Sequence, residues 1–264
     1  MRDFSGIVDL PAALMIVVAL TVIALANGFS RRRTIAMAPT ALLEASYLFM
    51  LITLVAMFED PLNFMTLPYM ASFALVTFAI AGVVGMVLMI FRPADNELDA
   101  LPVPKIGLRV AAILAALAGT GYLAMGNTAL SGYLQPNAVI FTTVLAAVVM
   151  TCGRFSSRVS AMSAAIEHLP NTAVLGMVVA ISAAVLDIYE LPALLPLLGF
   201  GVNVVFLVAL IQVIVRLGGW TRAPIKVHHY LLQALLLLSA VGLVLIAEAA
   251  AYTSRAGTLS LIHI

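Results

Sequence analysis

Eight stretches of mainly apolar residues constrain the fold of this chain more than any other feature. A helix that crosses a membrane needs about 20 predominantly apolar residues. The whole chain is 64% hydrophobic and 9% charged, whereas a soluble domain is about 45–50% apolar and about 25% charged. The sequence therefore predicts an all-α, polytopic transmembrane helical bundle. The eight predicted spans are Leu10–Ala26, Ala41–Phe58, Tyr69–Phe91, Ile106–Met125, Ala138–Cys152, Ala173–Leu186, Leu195–Val215 and Tyr230–Ala251.

The basic residues lie in alternate connections between these spans. Eleven of the 13 Lys and Arg residues follow the first, third, fifth and seventh spans. Lys and Arg are retained on the cytoplasmic side of a membrane protein. We therefore predict an inner (plasma) membrane protein whose N-terminus is extracytoplasmic. The eleven residues are Arg31, Arg32, Arg33, Arg92, Lys105, Arg109, Arg154, Arg158, Arg216, Arg222 and Lys226.

The four odd-numbered spans begin alike. Each has a proline close to its start, in "DLPAAL", "TLPYMA", "LQPNAV" and "ELPALL", and these prolines are 56 to 68 residues apart. Proline suits the first turn of a helix, where its missing N–H would have no partner. The regular spacing predicts parallel repeats of two helices each. The prolines are Pro11, Pro68, Pro136 and Pro192.

Polar residues recur where the even-numbered spans end, at the predicted outer face. Glu248 is followed by three alanines before Tyr252, and ionisable residues inside a span tend to be functional. These residues either converge on one outer-face site or are solvated loop residues, and the sequence leaves both interpretations open. The candidate outer-face polar site consists of Glu59, Asp60, Asn127, Asp187 and Glu248.

Four further polar residues lie within predicted spans: Glu44, Asn203, Gln212 and Gln233. Buried amides in membrane helices usually donate interhelical hydrogen bonds, although contact with a substrate is the alternative. Glu44 is expected to extend to the cytoplasmic interface or to pair with Arg31–Arg33. A row of small residues, Ala111, Ala115 and Gly119, predicts close helix packing.

Several classes of protein are disfavoured by the sequence. The chain contains no P-loop, HExxH motif, catalytic triad or haem-ligand pair, and we expect neither an enzyme nor a bound cofactor. The single cysteine, Cys152, excludes an internal disulfide and gives no zinc pattern. A net charge of +1 argues against nucleic acid as a partner, which leaves the lipid bilayer.

The architecture resembles the MHYT family of bacterial membrane sensor modules over residues 1–219. The resemblance rests on the outside N-terminus, the paired helices and the signatures at the outer ends of even spans. It implies a sensory input module that feeds a cytoplasmic signalling domain. The family's motif positions read "FMLITLVAMF", "TGYLAMGNTAL" and "AISAAVLDIYEL" here and contain no histidine. No metal ligand is therefore carried over, and the eighth span departs from the family's seven.

Three functions remain open at the level of sequence. The first is a sensory or signalling input module. The alternatives are a permease or channel for a small molecule or ion, and a non-catalytic subunit of a membrane complex. A C-terminal output domain or a partner subunit is the expected protein partner.

The C-terminal residues are interpreted separately from the rest. We predict one transmembrane domain over residues 1–258. The hexapeptide Leu259–Ile264 matches the translation of CTG-TCT-CTT-ATA-CAC-ATC, a transposon end used to fragment DNA for sequencing. We expect it to be adaptor read-through and the chain to be a fragment. An apolar tail lying on the membrane is the alternative.

Overall fold

A computed structural model describes residues 10–59, 67–93, 103–127, 130–155, 161–186, 191–220, 232–247 and 249. All regular secondary structure in these ranges is helical. The predicted adaptor hexapeptide Leu259–Ile264 lies outside the described residues. The helices are α1 Leu10–Ala26, α2 Arg31–Glu59, α3 Leu67–Ile90, α4 Ile106–Asn127, α5 Leu130–Tyr133, α6 Pro136–Phe155, α7 Ala161–Leu186, α8 Leu191–Leu217 and α9 Leu232–Ala247.

Five of the described helices, namely α2, α4, α6, α7 and α8, are long and apolar enough to cross a membrane. Three shorter apolar stretches, Ala13–Ala26, Val76–Ile90 and Leu232–Ala247, fall in the other predicted spans. Each of the eight predicted spans therefore overlaps an apolar helix in the described part of the chain. The all-α fold class is confirmed, and several helices suit a membrane.

Three helices begin well before the apolar stretches that predicted them. α2 begins at Arg31 rather than at Ala41, and α7 begins at Ala161 rather than at Ala173. α8 begins four residues early, at Leu191. Hydropathy locates only the apolar part of a helix, whereas the backbone hydrogen bonds continue through flanking polar residues. Pro39 and Pro170 lie inside α2 and α7, so neither proline ends its helix.

The four repeat prolines all stand at the first or second residue of a helix. Pro136 begins α6, and the other three follow the first residue of α1, α3 and α8. A proline there costs no backbone hydrogen bond. The two-helix repeat itself stays a prediction.

Large apolar side chains cover the exposed faces of several helices. Ile106, Leu114 and Tyr122 on α4 are 81%, 60% and 76% exposed, and Ile140 on α6 is 60% exposed. Soluble monomers rarely expose contiguous apolar surface of this extent. These helix faces are suited to contact with the hydrocarbon interior of a bilayer.

The chain forms two compact units. Unit 1 comprises residues 1–56, 62–130 and 209–225, and unit 2 comprises residues 57–61, 131–208 and 226–264. In unit 1, α1 and α8 end in the same backbone motif. Gly28 and Gly219 have φ angles of 63° and 71°, and each occupies the left-handed position after the last turn, where glycine has no steric penalty.

The two glycine ends lie beside the start of α4. A Cβ atom on Gly28 would lie 3.6 Å from Pro104 and Leu108. The Nη1 of Arg109 donates a 3.1 Å hydrogen bond to the Gly218 carbonyl. The start of α4 therefore meets the ends of α1 and α8. Residues 31–33, in the first turn of α2, follow α1 at this same end of unit 1, which we call the basic end.

Unit 2 contains a close contact between α7 and α8. A Cβ atom on Gly201 would lie 2.5 Å from the Cβ of Ala180, and one on Gly176 would lie 2.6 Å from Val204. Absence of these side chains lets the two helix backbones approach each other. Around this contact, the ring of Tyr133 packs 5.4 Å from that of Phe206.

Candidate functional site

The side chains of the outer-face polar site predicted from sequence lie outside the described part of the chain. The structure gives the backbone of Glu59 and Asn127 at the ends of α2 and α4, and their side chains are outside the described part. Asp60, Asp187 and Glu248 lie outside the described residues altogether. That site remains a prediction.

A buried ion pair joins α2 and α8 in unit 1. The guanidinium of Arg216 donates two hydrogen bonds to the carboxylate of Glu44. The distances are 2.5 Å from Nε to Oε2 and 2.7 Å from Nη2 to Oε1. The Arg216 and Glu44 side chains are only 11% and 5% exposed. Two parallel bonds of this kind fix both groups in one geometry.

The position of each partner follows from its helix. Arg216 is the penultimate residue of α8, and its long side chain lies at the basic end. Glu44 lies 13 residues after the start of α2, because the first turns of that helix precede the apolar stretch. A charge at this depth is costly unless it is paired. The sequence offered interface exposure or pairing with Arg31–Arg33 for Glu44, and the structure instead pairs it with Arg216.

The ion pair forms part of the wall of a cavity of about 310 Å³ within unit 1. α1, α2, α4 and α8 line this cavity, and all of its lining residues belong to unit 1. The deep side consists of buried apolar residues of α2 and α8, such as Leu48, Ile52 and Val213. Ligand pockets in proteins begin at about 300 Å³. The cavity is therefore large enough for a small molecule.

The cavity opens between α1 and α4. Four of its lining residues, Val18, Ala115, Gly119 and Tyr122, are exposed. Two of them belong to the row of small residues that predicted close packing. No atom lies within 4 Å of where a Gly119 Cβ would be. The small residues here border an opening, which we call the mouth, instead of a tight helix contact.

The intramembrane amides have different environments. Nε2 of Gln233 donates a 3.3 Å hydrogen bond to the Pro170 carbonyl, which links α9 to α7 within unit 2. Nδ2 of Asn203 donates to Gly199 of its own helix at 3.1 Å. The Oδ1 atom of Asn203 is buried without a hydrogen-bond partner. Gln212 is half-buried on α8. Of the four polar residues predicted to lie within spans, Glu44 lines the cavity and the three amides do not.

Sequence reasoning missed the cavity and missed Arg216 as a site residue. Arg216 was treated as one of the basic residues that set orientation. The sequence contained one indication of this partner. An acidic residue inside a span requires a cationic partner, and only a Lys or Arg at the end of another span has a side chain long enough to reach it. The cavity had no comparable signal, because small residues border gaps and close contacts alike. Compared with protein-family models, curated proteins and solved structures, the chain gives no match in any of the three.

Proposed function

We propose that this chain is the membrane-embedded input module of a bacterial signalling protein. A small ligand binds in the cavity of unit 1 and changes the contact between α2 and α8. The observation that carries this proposal is the position of the Glu44–Arg216 pair. It links two helices and also forms part of the cavity wall.

A ligand acts on a protein only through unequal affinity for two states. The bidentate pair supplies such a difference, because its hydrogen bonds depend steeply on distance and angle. A ligand that fits the cavity with α2 and α8 in one arrangement stabilises that arrangement. α8 is continuous from Arg216 back to Leu191, so a displacement at its end involves the whole helix.

The resemblance to MHYT modules supports the sensory function, and the missing motif histidines favour a ligand other than a metal ion. The membrane is the bacterial inner membrane, and the N-terminus is extracytoplasmic. The basic end of unit 1 supports this orientation, since Arg32, Arg109 and Arg216 belong to helix ends that meet there.

Reporter fusions test the orientation. Alkaline phosphatase fused after Asn63 is expected to be active, and green fluorescent protein fused after Arg33 is expected to fluoresce. Both results follow from the retention of basic connections in the cytoplasm. Exchanging the two reporters between the sites is the matched control and should abolish both signals. Activity of phosphatase after Arg33 would contradict the orientation.

The complete gene tests the signalling role. The predicted topology leaves Tyr252 outside, so a cytoplasmic output domain requires one more span before it. We expect the gene, sequenced independently from its source, to encode a ninth span and a signalling domain after Thr258. A stop codon directly after Ile264 would contradict the adaptor interpretation. A full-length gene with neither a ninth span nor an output domain would remove the support for sensing.

A permease is the second candidate, and the open cavity is the observation that favours it. A permease moves its ligand across the bilayer, whereas a sensor only binds it. Flux of a bound ligand into sealed proteoliposomes, absent from protein-free vesicles, would favour transport. Co-purification with a fixed stoichiometry of another membrane protein would favour the complex-subunit alternative.

A further inference from the structure

The geometry points to an uncharged, lipid-soluble ligand with a hydroxyl group at one end, which enters the cavity sideways from the hydrocarbon of the bilayer. This inference rests on the proposed function and names the ligand class of that same cavity. Three features of unit 1 carry it: the apolar lining, the neutral charge of the deep polar end and the position of the mouth.

The lining selects an apolar body. Apart from the ion pair, it consists almost entirely of aliphatic and aromatic side chains, such as Met15, Val22, Phe49 and Leu123. Moving apolar surface from water to such a wall is favourable. A molecule that is already dissolved in lipid gains less free energy on entering the cavity. It therefore prefers the cavity only if its shape fits the wall and it makes a polar contact there.

The ion pair excludes a charged ligand. Glu44 and Arg216 neutralise each other through two short hydrogen bonds. A ligand ammonium would compete with Arg216 for Glu44, and a ligand carboxylate would compete with Glu44 for Arg216. Either competition leaves one buried charge without its partner, which is strongly unfavourable. An uncharged molecule leaves the pair intact.

The carboxylate of Glu44 selects a hydrogen-bond donor. A carboxylate has about four acceptor positions, and Arg216 occupies one on each oxygen. Glu44 lines the cavity, and a ligand hydroxyl group at that end is expected to donate to one of the remaining acceptor positions. Hydrogen bonds to charged groups are stronger than those between neutral groups. An alcohol therefore binds better than an ether or a hydrocarbon of equal length.

The mouth selects the route. Val18 lies near the middle of α1, and Ala115 and Gly119 lie near the middle of α4. If these helices span the bilayer, their middles lie among lipid tails, far from either aqueous surface. The exposed lining residues therefore face hydrocarbon, and the ligand reaches the cavity without crossing water.

A photoreactive probe tests the ligand class. Purified protein in lipid nanodiscs is labelled with a diazirine analogue of 1-decanol, and labelled peptides are identified by mass spectrometry. We expect labelling of cavity residues in α1, α2 and α4. Unlabelled 1-decanol should compete about tenfold better than decanoate, decylammonium or 1-methoxydecane. Better competition by either charged amphiphile, or equal competition by the ether, would overturn the inference.

Two leucine variants test the location. Gly119→Leu places a side chain in the mouth, while Gly121→Leu adds the same group about 200° around the helix. Neither glycine has an atom within 4 Å of its missing Cβ, so the first added carbon meets no neighbour in either variant. Cavity labelling should fall about tenfold in Gly119→Leu and stay within about twofold in Gly121→Leu.

Equal labelling in the two leucine variants would place the probe on the outer helix surfaces and overturn the inference. Ala115→Leu narrows the same mouth and should reproduce the effect of Gly119→Leu. Melting temperatures equal to that of the unchanged protein show that each variant is folded. A charged ligand contradicts this inference alone, whereas the complete gene decides the signalling role separately.

Discussion

Replacing Arg216 with methionine is expected to destabilise the protein by about 3–5 kcal/mol, because Glu44 is left as a buried charge without its partner. The loss is that large because both side chains are almost completely enclosed. The measurement is reversible unfolding in detergent micelles or bilayers. Lys105→Met is the matched control. It also removes one positive charge at the basic end, but Lys105 is exposed, and the expected change is within about 0.5 kcal/mol.

The double variant Glu44→Leu/Arg216→Met shows whether pairing causes the loss. Replacement of both partners by apolar groups removes the uncompensated charge, and stability is expected to return to near the original value. Arg216→Lys should recover little, because an ammonium cannot donate two parallel bonds in the same plane. An Arg216→Met protein as stable as the Lys105→Met protein would contradict the ion pair.

Substitution at the α7–α8 contact should show the second large effect. Gly201→Ala places a methyl group 2.5 Å from the Cβ of Ala180 and 3.0 Å from the sulfur of Met177. These neighbours belong to a packed helix, and overpacking of this kind costs about 1–3 kcal/mol. The expected result is a lower free energy of unfolding, measured as above.

Gly242→Ala in α9 provides the matched control for this prediction. No atom lies within 4 Å of a Cβ at Gly242. Alanine is favoured over glycine in a helix by up to about 1 kcal/mol, so this variant should be as stable as the original or more stable. If Gly201→Ala also stabilises, the backbones of α7 and α8 are farther apart than described.

Helix positions were predictable because burial in lipid imposes a length and a composition on each span. The apolar stretches placed the starts of α1 and α4 at Leu10 and Ile106, where the structure has them. The start of α2 was wrong by ten residues. Arg31 to Thr40 lack the hydropathy of a span, yet their backbone hydrogen bonds continue the helix.

The candidate site was predictable only in part. Glu44 was singled out because a carboxylate inside an apolar helix is costly and therefore requires an explanation. Its partner was not identified, since Arg216 is 172 residues away and its sequence context resembles that of other basic residues beside the spans. The row Ala111, Ala115 and Gly119 was interpreted as a packing surface, and two of its members border the mouth of the cavity instead.

The sequence by itself determined the class of this protein: apolar helices suited to a membrane, with basic residues gathered in alternate connections. Those properties are sums over local residues, and each helix satisfies its own backbone hydrogen bonds. The tertiary structure alone decided that Glu44 meets Arg216, that Gly201 lies against Ala180 and that small residues of α4 border an open cavity. Each of these depends on which helix faces meet, and the pattern along a single helix does not contain that information.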